Sequence, residues 1–176
     1  MRIIRGTHRG RQIRPPGNLP VRPTTDLAKE SLFNILENNF FIEDLQILDL
    51  FAGTGSISFE FASRESKSIL SVDNNIRCIR FIGETAEKLG FESLRPIRAN
   101  AFSFLRQARL KFDIIFADPP YDMEGIEEIP TLVFEKGLLQ SDGWLIIEHP
   151  REKNFSTFPQ LFDERKYGRV NFSFFK

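Results

Sequence analysis

Gln46-Ile47-Leu48-Asp49-Leu50-Phe51-Ala52-Gly53-Thr54-Gly55 opens as a short apolar run and ends in a turn with glycines two positions apart. A run of that length, bounded by turn residues, reads as a strand buried on both faces. The glycines let the chain reverse sharply and let a ligand come close to the backbone. Downstream the same theme recurs. Residues 68–73 (SILSVD), 95–99, 113–117 (DIIFA) and 144–148 (WLIIE) read as strands, and 55–64, 75–89, 102–108 and 126–136 as the helices between them. Strands alternating with helices predict a parallel sheet covered on both sides. Residues 163–169 and 170–175, with Gly168 between, break the alternation and predict an antiparallel hairpin at the sheet edge. The expected class is α/β: a Rossmann-like three-layer sandwich with a mostly parallel seven-stranded sheet and an antiparallel C-terminal hairpin.

The chain has 176 residues, of which 41% are hydrophobic and 27% charged, a balance that excludes wholesale disorder. Nineteen Phe residues must mostly be packing. A single cysteine, Cys78, permits no internal disulfide and fits a cytoplasmic location. No stretch reaches the roughly 20 apolar residues of a membrane span, and no signal-type segment opens the chain. Twenty-four basic residues balance twenty-four acidic ones, but the first acid is Asp26. Arg2, Arg5, Arg9, Arg11, Arg14 and Arg22 all precede it. That block reads as a phosphate-contacting arm, against the plainer alternative of a solvated ribbon. Loose alternation around Gly6 and Gly10 predicts a basic N-terminal β-hairpin over residues 1–24, followed by the main domain over 25–176. The main domain opens with a helix near 26–38, capped by Thr25 or Asp26 and striped by Leu32, Ile35 and Leu36.

The first loop has the makings of a nucleoside-type cofactor site. Asp73 ends the second strand 20 residues after Gly53, where an acid can accept from ribose hydroxyls. The third glycine of a dinucleotide fingerprint is replaced by Ser58. Asp49 would repel a diphosphate but suits an ammonium group. Ribose, ammonium and no phosphate together describe S-adenosylmethionine. Asp49, Phe51, Ala52, Gly53, Gly55 and Asp73 are the expected contacts. Asn100 and Ala101, after the third strand, can meet the adenine edge, although Asn100 also suits the cap of the next helix.

The fourth strand ends Asp118-Pro119-Pro120-Tyr121. Two prolines stiffen this turn and remove N–H donors, leaving carbonyls, one carboxylate and a flat ring. An exocyclic amine of a nucleobase fits such a site. Asp118 and the Pro119 carbonyl can each take one N–H, and Tyr121 can stack on the base. Methyl transfer by direct displacement needs no metal and no strongly shifted base.

These two motifs resemble the class I S-adenosylmethionine-dependent methyltransferases of exocyclic amines. The segments MRIIRGTHRGRQI and VRPTTDLAKESLFNIL are similar to the RsmD family, which acts on a guanine N2 of small-subunit rRNA. The likeness runs from Met1 to about His149 and is loosest in the tail. It implies S-adenosylmethionine as cofactor and 16S rRNA or the small ribosomal subunit as partner. It also implies Asp118, Pro119, Pro120 and Tyr121 as the catalytic, guanine-holding group. Arg5, Arg9, Arg11, Arg22 and Thr24 are the expected RNA contacts, in a monomer without metal. The rivals are an adenine-N6 methyltransferase, disfavoured on DNA by the lack of room for a target-recognition domain, and a catalytically silent RNA-binding assembly factor. His8 and His149 read as surface or strand-end residues and Cys78 as packing. Phe102, Phe104, Phe172, Phe174 and Phe175 read as core.

Overall fold

The computed structural model describes residues 1–17, 19, 25–168 and 170–176. Five strands run parallel in the order their helices dictate: β1 (Gln46–Leu50), β2 (Ser68–Asp73), β3 (Leu94–Arg98), β4 (Phe112–Ala117) and β5 (Leu139–His149). Antiparallel β6 (Leu161–Tyr167) and β7 (Val170–Phe175) complete a seven-stranded sheet in the order β3-β2-β1-β4-β5-β7-β6. The helices are α1 (Asp26–Glu37), α2 (Ser56–Ser63), α3 (Ile76–Leu89), α4 (Ala101–Gln107) and α5 (Glu128–Glu135). The order reverses between β1 and β4, which is where such sheets open a crevice at their carboxyl ends.

Side chains of β1 alternate between two cores. Ile47 faces α1, α2 and α3, while Leu48 and Leu50 face α4 and α5. Burying each of these side chains stabilises the fold by about 1.5–3 kcal/mol. Asp49 lies on the α2 side by the same alternation. Thr25 caps α1 by accepting the Ala28 N–H at 3.2 Å, and Leu32, Phe33 and Leu36 turn inward. Ile35, expected in the inner stripe, is half-buried.

The structure departs from the sequence reading in three places. β5 begins five residues early, because residues 139–143 make a bulged approach to β4 with a register shift between Phe112 and Ile114. Gly143 sits there within 2.9 Å, measured from a Cβ position, of the Phe112 and Asp113 carbonyls, so the pairing tolerates no side chain. The N-terminal hairpin is reduced to one antiparallel bridge, Arg2↔Gln12. Its Ile3 and Ile13 enter the core, and the Ile4 and Arg5 amides donate to Glu60 of α2 instead of to a facing strand. His149 does end a strand but is buried: Nδ1 donates to the Pro150 carbonyl at 2.9 Å and Nε2 meets Ser173 Oγ at 2.8 Å. Burial holds its pKa below the usual imidazole value. His8 is half-buried edge-on to Phe91, and Cys78 is buried. Phe172, Phe174 and Phe175 are core, whereas Phe102 and Phe104 are partly buried against it. Among the described residues no helix is long and apolar enough to cross a membrane.

Candidate functional site

The turns after β1 and β4 meet. The Asp118 amide donates to the Leu50 carbonyl at 3.3 Å, so the glycine turn and the DPPY turn open from adjacent strands on the same edge. The first turn is held in a demanding conformation. Phe51, Gly53 and Gly55 all have positive φ, at 58°, 54° and 75°. A non-glycine residue at that φ carries about 1–3 kcal/mol of strain, a cost that folds retain mainly at ligand clamps. Phe51 is half-buried with its ring edge-on to Phe102 at 6.2 Å, and Ala52 is buried beneath.

Asp73 binds this turn to β2. One carboxylate oxygen accepts the Gly53 N–H at 2.9 Å and the other the Asn75 N–H at 2.7 Å. Each oxygen keeps a second lone pair, so a ribose hydroxyl can still donate to it. Ile76, at the head of α3 just beyond, is 46% exposed and offers an apolar face beside that carboxylate. Across the rim, Asn100 is exposed and caps α4, its Oδ1 accepting the Ser103 N–H at 3.0 Å. The cap uses only the oxygen, and the Nδ2 donors face no such demand. Ala101 is buried at the start of α4.

Asp49 is 2% exposed and accepts from Ser58, both from its N–H at 3.1 Å and from its hydroxyl, which also lies 2.5 Å from Ser71 Oγ. Ser58 is the third residue of α2, so Asp49 caps that helix from the strand below it. Loss of solvent outweighs these bonds and pushes the Asp49 carboxyl up to about 7, with Asp73 adding a smaller repulsion.

At the DPPY turn, Asp118 is half-buried, Pro119 buried, Pro120 exposed and Tyr121 47% exposed. Glu148, which the sequence reading passed over, belongs to the same cluster. The β4–β5 register pairs Ala117 with Ile147, so the next residues on, Asp118 and Glu148, are neighbours. Glu148 is 3% exposed, and its Oε1 accepts from the Tyr121 hydroxyl at 3.4 Å. Burial first, then the Glu148 and Asp49 charges, hold the Asp118 carboxyl well above the usual range. The sequence signal is the acid that ends the β5 run WLIIE, but only the β4–β5 adjacency sets it beside DPPY.

The RNA-contact candidates divide. Arg9 and Arg11 are exposed on the N-terminal ribbon, whereas Arg5 is paired at 2.8 Å with Glu37 of α1. Arg22 and Thr24 lie outside the described residues. Among the described residues no cluster of His, Cys, Asp and Glu has metal-holding geometry.

The family described as Conserved hypothetical protein 95 matches residues 1–176, the full chain. The chain belongs to this family. It is 31% identical over 179 residues to ribosomal RNA small subunit methyltransferase D of Escherichia coli, covering 100% of this chain and 89% of the relative. The proposed rRNA methyltransferase YlbH of Bacillus subtilis is 32% identical, with 100% and 98% covered. A solved structure of a proposed methyltransferase from Escherichia coli superposes with a TM-score of 0.88 at 30% identity, over 99% of this chain and 96% of that one. The fold is therefore that of the Rossmann-like methyltransferases.

Proposed function

We propose that the protein transfers a methyl group from S-adenosylmethionine to the exocyclic N2 of a guanine in 16S rRNA. The observation that carries this reading is the acceptor-rich cleft wall beside the glycine turn. Asp118, the Pro119 carbonyl and Glu148 present oxygens from neighbouring strand ends. Guanine offers donors along one edge, N1–H beside the N2 amine, while adenine offers an amine beside an acceptor nitrogen. An acceptor-rich wall suits the first pattern better than the second, whose ring nitrogen would face acceptor lone pairs. The family relatives named for small-subunit rRNA support the same substrate class.

The cofactor supplies an electrophilic methyl on a sulfonium. Asp49 sits where it can face the ammonium, and Asp73 where it can accept from the ribose. Asn100 Nδ2 and the apolar face of Ile76 lie along the same rim for adenine. Asp118 and the Pro119 carbonyl hold the two amine protons, which weakens conjugation with the ring and aims the nitrogen lone pair at the methyl. The C–S bond breaks as the N–C bond forms, and the cationic nitrogen passes one proton to Asp118 or to water. A carboxylate with a raised pKa accepts that proton more readily than an ordinary one.

Labelled S-adenosylmethionine incubated with 30S particles, naked 16S rRNA or DNA, followed by nucleoside digestion, tests this directly. The expected product is N2-methylguanosine in rRNA; N6-methyladenosine, or label confined to DNA, would overturn the reading. Glu148→Gln supplies a sharper check, because it removes a charge beside Asp118 and gives adenine a donor. Transfer to guanine is expected to fall about 10–100-fold in kcat/KM. The acidic limb of its pH–rate profile should also move to lower pH, since the Asp118 carboxyl loses a repelling neighbour. An unchanged profile would remove Glu148 from the site.

Arg9 and Arg11 are read as phosphate contacts that orient the RNA. Replacing both with alanine is expected to flatten the slope of log affinity against log salt by about 1–2. A slope equal to that of the unaltered protein would return the ribbon to a merely solvated surface.

A further inference from the structure

Lys29 points inward from α1 with 1% of its side chain exposed. A buried ammonium needs partners for all three of its N–H groups. Lys29 donates to the Arg2 carbonyl at 2.6 Å and to Ser56 Oγ at 3.2 Å, and pairs with Glu60 Oε2 at 3.5 Å. Arg2 belongs to the basic arm. Ser56 is the first residue of α2, directly after the Gly53–Gly55 turn. Glu60, fully buried one turn further on, accepts the arm's Ile4 and Arg5 amides at 2.8 and 3.0 Å. A second tie runs beside it, where Thr54 Oγ1 donates to Met1 Sδ at 3.4 Å.

Fold stability alone does not call for a charge here. A buried ion pair gives little net stabilisation compared with an apolar side chain of similar volume. Loss of solvent lowers the Lys29 pKa against the pull of Glu60 and Asp26. What the ammonium adds is direction, since it fixes three oxygens from two separate segments about one point.

We propose that Lys29 is a positioning residue that locks the basic arm to the head of α2, so that RNA held by the arm and cofactor held by the glycine turn meet in a fixed relation. The proposal rests on the functional reading above for the roles of arm and turn. Its test is chosen to need no RNA. Amide hydrogen exchange is followed in the full chain with and without S-adenosylhomocysteine, for the unaltered protein, Lys29→Met and Ser56→Ala. Ser56→Ala removes a single hydroxyl and decides the matter alone should Lys29→Met fail to fold.

In the unaltered protein, S-adenosylhomocysteine is expected to slow exchange at the Ile3, Ile4, Arg5 and Ile13 amides about tenfold. In the variants that protection should shrink to less than about twofold, with S-adenosylhomocysteine Kd changed less than about threefold. Two results would overturn the proposal at the arm: amides that ignore S-adenosylhomocysteine in the unaltered protein, or that respond undiminished in the variants. A larger loss of S-adenosylhomocysteine affinity in Ser56→Ala would also overturn it, because the bond would then serve the turn itself. Methylation assays give an independent readout, expected as a loss of about tenfold in kcat with the KM for rRNA unchanged. Failure of the unaltered protein to methylate rRNA would sink the proposed function while the exchange result still decided the role of Lys29.

Discussion

Asp118→Ala is expected to lower methyl transfer by about 10²–10⁴-fold, the range for losing a positioned acceptor and proton-transfer group. The same substitution should leave cofactor Kd within a few fold, because Asp73, the Gly53–Gly55 turn and Asn100 lie on β2, β1 and the β3–α4 junction. Its effect on stability has the opposite sign to its effect on rate. Asp118 shares a poorly solvated strand edge with Glu148 and Asp49, and their charges raise its pKa. Removing the Asp118 carboxyl relieves that repulsion, so Tm at neutral pH should hold or rise. An inactive variant with a raised Tm is the pattern of a site kept at a cost to the fold. Measuring kcat, cofactor Kd and Tm on one preparation separates the cases; a fully active Asp118→Ala would end the role assigned to the DPPY turn. A loss of activity accompanied by a sharp drop in Tm would instead assign Asp118 to the fold.

Much of this was legible in the sequence because the central parallel strands are mostly apolar on both faces, with Asp49 and Ser71 as buried polar exceptions. SILSVD and DIIFA can be read as buried strands without knowing their neighbours, and β2 has the ends expected for it. The cofactor turn announces itself through glycines that backbone geometry requires. The elements that resisted reading are those whose fate is decided by tertiary partners. Residues 139–143 look like a polar loop and become strand because β4 accepts them through a bulge. The arginine-rich ribbon looks like a free hairpin, but Glu60, 55 residues from Arg5, supplies acceptors that a facing strand would otherwise offer. Lys29 and Glu60 carry no local signal that they are buried, since each is an unremarkable charge within a helical pattern. Glu148 could have been found from its place on the strand beside DPPY. Finding it needed the β4–β5 adjacency, which short-range pattern does not provide.

That adjacency also explains why three acids can crowd one edge. β1, β4 and β5 each carry a carboxylate within one residue of the end of their parallel pairing: Asp49 just before it, Asp118 and Glu148 just past it. Parallel strands bring like ends together, and the carbonyl ends of the strands add partial negative charge of their own. Such an edge favours cationic and N–H-bearing ligands over phosphates. Sulfonium, ammonium and a nucleobase amine are all of that kind. On the proposed reading, phosphate recognition falls instead to the arginines of the arm.

Asp49→Asn should produce the largest change in how stability varies with pH. In the folded protein the Asp49 carboxyl is pushed up to about 7, mainly by loss of solvent, against about 3.9 in an unfolded chain. Between those values the native state holds a proton that the unfolded state has released. Stability must therefore fall as pH rises through the window from about 4 to 7 and level off above it. At about 1.4 kcal/mol per pH unit the whole effect is at most about 4 kcal/mol. Asparagine has the same shape, can accept the Ser58 N–H and never ionises. The variant should match the unaltered protein near pH 4 and exceed it near pH 8, by a Tm difference of several degrees at about 2–4 °C per kcal/mol. Asp118 adds to the difference in the same direction, because burial and Glu148 still raise its carboxyl in the variant but the Asp49 charge no longer does. Cofactor binding should show the complementary behaviour. An ammonium placed against Asp49 favours its ionised form, so binding below pH 7 releases a proton and tightens as pH rises toward 7. Calorimetry in buffers of different ionisation enthalpy reads that proton directly. The proton should be absent in Asp49→Asn, whose cofactor affinity should be weaker and nearly independent of pH over the same range. Equal proton release by both proteins would separate Asp49 from the ammonium and move that contact elsewhere on the rim.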